Sequence, residues 1–332
     1  MVEVRYGVLG IGNAIVDVVA HADDGFLAGH GLAKGTMALI DEAMAGRLYD
    51  QIGPAIECSG GSAANTIAGL ASLGGAGAFI GKVATDQLGQ VFTHDIRALG
   101  VTFRSAPLAG GPSTARCLVL VSPDAQRTMQ TYLGACTQLY PDDIDPDLVA
   151  ASQVTYLEGY LWDPPHAKDA FVKAARIAKE AGRKVALSLS DPFCVDRHRD
   201  DFLTLLADHV DVLFANEAEI KHLYKAESFD AALQQVRGHC EIAALTRGEK
   251  GSVVVAGEEL HVVDAEPVIR VVDTTGAGDA YAAGFLFGLT AGKNLATCAR
   301  LGGIAAAEII SHLGARPETP LRPLAEARLG PL

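Results

Sequence analysis

Seven residues carry the strongest chemical signal in the chain: Asp273-Thr274-Thr275-Gly276-Ala277-Gly278-Asp279. The small, apolar stretch after them predicts a helix over 277–290, so the run is a glycine turn feeding a helix N-terminus. The first N–H groups of a helix have no partner inside it, and the helix dipole is positive there. Gly276 and Gly278 would let a phosphate come close to that backbone. Asp279 falls in the first turn, where a carboxylate is a poor phosphate ligand but a good general base for a hydroxyl. The plainer reading of Asp279 is a cap on its own helix.

A second cluster, Ser59-Gly60-Gly61-Ser62-Ala63-Ala64-Asn65, opens another predicted helix over 62–73. Its glycines permit close approach, and Ser62 and Asn65 offer hydrogen bonds to hydroxyls. A tight helix-packing turn would use the same residues. Near the start lies Gly10-Ile11-Gly12-Asn13-Ala14-Ile15-Val16-Asp17. It begins like a dinucleotide fingerprint, but Ile15 stands where the third glycine belongs and a strand-like stretch follows, which argues against such a site. Asn13 and Asp17 within an apolar run suit either a polyol or a buried polar network. No phosphate-loop motif occurs, since neither Gly81-Lys82 nor Gly292-Lys293 is followed by Ser or Thr. Asn216 and Glu219 follow an apolar strand; they could place a hydrated magnesium ion or simply form a capping box. Thr246-Arg247-Gly248-Glu249-Lys250-Gly251 reads as a nucleotide-holding turn or a hairpin turn.

The elements that must position these residues alternate strand and helix through most of the 332 residues, which predicts an α/β fold with a largely parallel sheet. Strands are expected at 6–11, 78–83, 154–157, 185–189, 212–214 and 242–245. Helices are expected at 87–99, 166–181, 199–206, 217–224 and 229–236, with 277–290 and 295–312 closing the chain. Two segments, about 14–41 and 102–134, break this rhythm. They include a hairpin of 115–121 with 127–133 around a turn at 122–126. They predict a small sheet beside the main domain, either a lid that excludes water from reactive phosphates or an ordinary extension.

Composition narrows the classes. The formal charge is −13, so no basic footprint for nucleic acid is visible. Glycine is 36 of 332 residues, about 11% against a usual ~7%. Six scattered cysteines form no Cys-x-x-Cys pair and read as free, buried thiols. Lys293, Arg300 and Glu308 interrupt the most apolar C-terminal stretches, so no membrane span is expected. The opening stretch, with Glu3, Arg5, Asn13 and Asp17, does not read as an export signal, and a cytoplasmic location is the expectation.

In this order the clusters resemble the ribokinase-like family of carbohydrate and nucleoside kinases, the phosphofructokinase B type. Gly60-Gly61-Ser62-Ala63-Ala64-Asn65 is similar to its first signature, Asn216-x-x-Glu219 to its magnesium motif, and the 273–279 run to its second signature. The resemblance implies a three-layer α/β/α domain with a small β-sheet lid. It implies transfer of the ATP γ-phosphoryl group with Mg²⁺, and often stimulation by a monovalent cation such as K⁺. By carry-over, Asp279 is the base, and the turn Gly276, Ala277 and Gly278 forms the anion hole. Asn13, Asp17, Gly60, Gly61, Ser62 and Asn65 hold the substrate. Asn216, Thr246, Gly248 and Gly251 touch ATP, Glu219 holds magnesium through water, and Arg127 is a lid arginine reaching the transferred phosphate.

Ser62 within its cluster, Gly134-Ala135 and the run from Tyr156 to Trp162 resemble the branch that phosphorylates the 5′-hydroxyl of adenosine. Met37, Leu39, Tyr160, Trp162 and Phe193 are then candidates for an adenine slot. A free-sugar kinase for ribose or fructose, and a catalytically silent nucleoside sensor, are the alternatives. The expected state is a monomer or homodimer.

Overall fold

The computed structural model describes residues 2–124 and 126–332. Fourteen strands form in chain order among them: Tyr6–Ile11 (β1), Ile15–His21 (β2), Met37–Leu39 (β3), Ala55–Gly60 (β4), Gly77–Ile80 (β5), Thr102–Phe103 (β6), Ala115–Val121 (β7), Arg127–Tyr132 (β8), Ser152–Glu158 (β9), Lys184–Ser188 (β10), Val212–Asn216 (β11), Ile242–Thr246 (β12), Ser252–Ala256 (β13) and Glu259–Val263 (β14). Nine of them make the large sheet, in the order β14-β13-β12-β11-β10-β9-β1-β5-β6. From β12 to β6 every pairing is parallel; at the edge β13 pairs antiparallel with both β12 and β14.

Strand side chains alternate between the two faces, and each face buries its own core. Val8, Phe79, Tyr156, Ala186 and Phe214 pack with the helices Ser62–Ser72, Ala277–Thr290 and Leu295–Ile309. Leu9, Ile80, Leu157, Leu187 and Leu213 point the other way, against Pro165–Glu180, Pro192–Asp208 and Glu217–Tyr224. Together these are the expected three layers. The parallel strands end on one edge, where the loops leading into helices carry the site residues.

The smaller sheet runs β3-β8-β7-β2-β4. It is drawn from the two irregular segments, with two differences from the expected 14–41 and 102–134. β4 joins it antiparallel to β2, with Asp17 opposite Cys58, although it lies outside both segments. Thr102–Phe103 instead pairs with β5 at the edge of the large sheet. β4 escapes the sequence pattern because it is an edge strand whose first half is exposed. The 122–126 turn includes Ala125, which lies outside the described residues.

Further differences have local causes. The helix expected at 199–206 starts at Pro192, because Asp191 caps it by accepting the Cys194 N–H (2.6 Å). A non-helical His198 kinks it and breaks the apolar period, so only its second half shows in the pattern. The strand expected at 78–83 stops at Ile80 and the last long helix at Ile309. A further helix, Leu321–Leu329, follows. No helix among the described residues is long and apolar enough to cross a membrane. The six cysteines are free, four of them buried.

Candidate active site

One cleft of about 1750 Å³ lies between the two sheets and gathers most of the residues singled out above. Asn13, Asp17, Gly61, Ser62, Asn65, Arg127, Asn216, Glu219, Thr246, Gly248, Gly276, Ala277, Gly278 and Asp279 all line it. A pocket for one drug-sized molecule is typically ~300–1,000 Å³, so this cleft has room for two reactants side by side.

Asp279 stands in the first turn of the helix Ala277–Thr290 and makes no cap bond to its own backbone. Its carboxylate instead accepts the Ser62 hydroxyl (2.6 Å) and the Asn65 amide (3.3 Å). The two glycine clusters, 217 positions apart, therefore meet at this one carboxylate. Burial pushes its pKa up to about 6, against the pull of Ser62, Asn65 and the Arg316 charge. Gly276 has φ +77°, and a Cβ there would lie 2.6 Å from that of Ala315. The N–H groups of this turn differ in how they are satisfied. The Ala277 N–H donates to the Thr274 carbonyl (3.2 Å), whereas the Gly278 and Asp279 N–H groups meet no acceptor among the described residues.

Across the cleft, Asp17 projects from β2, and burial pushes its pKa up to about 6 as well. Gly60 does not line the cleft; it makes room for Asp17, since a Cβ there would lie 2.3 Å from the carboxylate. Gly61 is required by its conformation, with φ +97° and the Asn13 carbonyl 2.1 Å from where a Cβ would be.

Asn13 is held by Glu158. Its amide donates to Glu158 Oε1 (2.6 Å) and its backbone N–H to Oε2 (3.3 Å), which also accepts the Ala63 N–H (2.8 Å). Glu158 is 1% exposed, and burial pushes its pKa up to about 7. Gly12, the second glycine of the apparent fingerprint, serves this carboxylate: a Cβ there would lie 2.2 Å from Glu158 Oε2. The chain continues into β2, not a helix, so no dinucleotide turn forms.

At the far end, Asn216 and Glu219 form a reciprocal capping box. Glu219 accepts the Asn216 N–H (2.8 Å) and amide (2.6 Å), while Asn216 accepts the Glu219 N–H (2.9 Å). Glu219 still lines the cleft, with burial pushing its pKa up to about 7 and the Asp191 charge adding to the rise. Thr246 and Gly248 line the cleft, but Gly251 does not. It turns the β12–β13 hairpin at φ +76°, with the Val263 carbonyl 2.0 Å from where a Cβ would be.

Arg127, on β8, donates to the Asp273 carboxylate and the Thr275 hydroxyl, joining the small sheet to the glycine turn. Asp273 also accepts the Thr275 N–H (2.8 Å) and the Gly314 N–H (3.1 Å). Of the expected slot residues, Met37, Leu39, Tyr160 and Phe193 line the cleft, and Phe193 is 75% exposed. Trp162 does not: it is buried against Phe171 and Phe202, and its indole N–H donates to Asp201 (3.1 Å).

Glu158 and Arg316 line the cleft without a role legible in the sequence. Glu158 ends an apolar strand but has no partner nearby in sequence. Arg316 follows the last long helix with no motif around it.

Comparison with known proteins places these features. Residues 57–322 match the family described as pfkB family carbohydrate kinase. The structure of an adenosine kinase from Sinorhizobium meliloti is 54% identical, covers 98% of this chain and 99% of that one, and superposes with a TM-score of 0.89. A probable sugar kinase from Rhizobium etli is 49% identical, with the same coverages and a TM-score of 0.90. The adenosine kinase of Saccharomyces cerevisiae is 29% identical over 92% of this chain and 94% of its own.

Proposed function

We propose, from the premise that this chain belongs to the pfkB family of carbohydrate kinases and is an ATP-dependent kinase, that it transfers the γ-phosphoryl group to the 5′-hydroxyl of adenosine, yielding AMP and ADP. The observation that carries this reading is Asp279: a half-buried carboxylate at the N-terminus of a long helix, held by two donors from the other glycine cluster. The similarity to adenosine kinases supports the choice of acceptor.

Phosphoryl transfer asks little covalent chemistry of a protein; positioning and charge stabilisation do most of the work. Asp279, with a pKa of about 6, is about tenfold more ionised than protonated at pH 7 and accepts the hydroxyl proton. The N–H groups of Gly278 and Asp279 and the helix dipole favour the negative charge of the phosphoryl group in flight. Asp17 and the Asn13–Glu158 pair hold the ribose hydroxyls. The smaller sheet acts as a lid, and Arg127 carries a positive charge from it to the anion turn.

Asn216, Thr246 and Gly248 border the ATP side of the cleft. Among the described residues no cluster of three or more His, Cys, Asp or Glu could cage a metal. That fits magnesium, which keeps its waters and enters with nucleotide phosphates. The Glu219 carboxylate would hold it through water, and the ion would neutralise phosphate charge. Around Asp17 the small sheet turns Ile15, Val19, Val119 and Met129 into the cleft, with Leu39 beyond. An apolar wall of that extent suits a purine, whereas a free sugar brings no apolar ring to cover it.

The experiment is ADP release from Mg-ATP with adenosine, inosine, guanosine, ribose and fructose as acceptors. Adenosine should give the highest kcat/KM, with little competition from free sugars. Turnover confined to ribose or fructose would move the acceptor to the sugar reading.

A further inference from the structure

Arg316 belongs to none of the motifs above. It lies on the segment between the helices Leu295–Ile309 and Leu321–Leu329. That segment is docked on the anion turn by the Gly314–Asp273 bond and by the contact of Ala315 with Gly276. From there the Arg316 guanidinium reaches the cleft. Nε donates to the Ser59 carbonyl (2.9 Å), Nη1 to the Ala64 carbonyl (3.2 Å), and Nη2 to the Ser59 hydroxyl (2.9 Å) and carbonyl. These acceptors lie on both sides of Gly60-Gly61. Asp95 holds Ser59 from the other side, accepting its N–H (2.8 Å) and hydroxyl (2.6 Å).

Every one of these Arg316 acceptors is neutral, so no bonded carboxylate spends its charge. The charged and titratable groups that face Asp279 come from several elements. Asp17 stands on β2, Glu158 on β9, Glu219 on the helix Glu217–Tyr224, and Arg127 on β8; Tyr156 and Tyr160 add two phenols. Asp95 and Cys58 face Arg316 itself. Carboxylates outnumber cations here, and a buried charge needs compensation. Arg127 is already bound to Asp273, which leaves Arg316.

We propose that Arg316 is a positioning residue for the transfer. Its fork fixes Ser59 and Ala64 and so aims Ser62 and Asn65 at Asp279, and its charge, bound to no carboxylate, lines the same cleft as Asp17 and Asp279. The proposal rests on the reading of Asp279 as the base. Among charges, Arg316 is the one that draws the Asp279 carboxyl back down and the strongest that does so at Asp17.

The test compares Arg316→Met and Arg316→Lys with the parent protein in kcat, KM and the pH dependence of kcat/KM. Asp279→Asn is run alongside, and thermal melting monitors the fold. The Met variant loses fork and charge, so the acid limb should move up by about half to one pH unit and kcat should fall about 10–100-fold. The Lys variant keeps the charge and loses the fork. Its limb should stay within about 0.3 units of the parent while kcat falls severalfold. A Met limb that coincides with the parent's, or a Lys limb displaced as far as the Met limb, overturns the proposal. Should the Met variant not fold, the Lys limb decides alone: unmoved supports, displaced by a unit refutes. If Asp279→Asn stays active, the base reading fails and this proposal with it. If Asp279→Asn is dead and the Met limb unmoved, only the Arg316 proposal fails.

Discussion

Replacing Asp279 with Asn should damage catalysis and strengthen the fold at once. The native carboxyl is pushed from 3.8 to about 6 by burial. At 1.36 kcal/mol per unit, that shift sets about 3 kcal/mol against folding while the group is ionised. The sign follows from the folded value lying above the unfolded one. The cost is fully present above pH 6 and is lost as the pH falls through 6 toward 3.8. Asn is neutral throughout and keeps the acceptor for Ser62. Asn65 has a buried Oδ1 without a partner, so a rotation of its amide lets it accept from the new side chain. With an unfolding entropy near 2.1 cal/mol/K per residue, this chain's stability changes by about 0.7 kcal/mol per degree. The melting point at pH 7.5 should therefore rise by about 2–4 °C. Losing a general base should lower kcat by about 10²–10⁴. Calorimetry and steady-state ADP release read the two effects on one preparation. The melting gain should shrink as the pH is lowered from 7.5 to 5. A variant that keeps near-normal turnover would refute the base. A variant that melts lower at every pH would refute the claim that this carboxylate is held against its solvation.

Three more outcomes follow from the geometry. The parent's kcat/KM should fall tenfold per unit below about pH 6, because Asp279 must be ionised; a flat profile down to pH 5 would contradict this. Gly61→Ala meets both φ +97° and the Asn13 carbonyl, so it should cost about 2–4 kcal/mol in chemical denaturation; a loss under half a kcal/mol would mean the turn relaxes freely. Arg127→Met strips the nearly fully buried Asp273 carboxylate of its cation, and should lower stability by about 2–4 kcal/mol and kcat with it; unchanged melting would show that the small sheet is not fastened through this pair.

The parts of this architecture that depend on local order were readable in advance. The helix at 277–290 and the capping-box spacing of Asn216 and Glu219 depend on residues within four positions of one another, and both stand as expected. The magnesium reading and the capping-box reading of that pair are not rivals, since the box leaves Glu219 on the cleft wall. Contacts between distant residues were not readable. Glu158 reaches Asn13 across 145 positions, and Arg316 reaches Ser59 across 257. Nothing in a short window signals either meeting. Trp162 misled for a related reason: its sequence context suits a slot, but the indole N–H finds Asp201 inside the core and turns the ring away from the cleft. The family resemblance makes Gly251 and Gly60 ligand contacts. In the fold, the backbone of residues 263–265 and the Asp17 carboxylate fill the space beside them.

The central claim is that this cleft carries a phosphoryl group from ATP to the adenosine 5′-hydroxyl with Asp279 as base. Phosphorus NMR of the protein with Mg-ATP and adenosine tests it most directly. The account predicts an AMP signal growing one for one with ADP, without free phosphate, and slowed about 10²–10⁴-fold in Asp279→Asn. ADP accompanied by inorganic phosphate alone, or AMP formation at a near-parental rate in the variant, would contradict it.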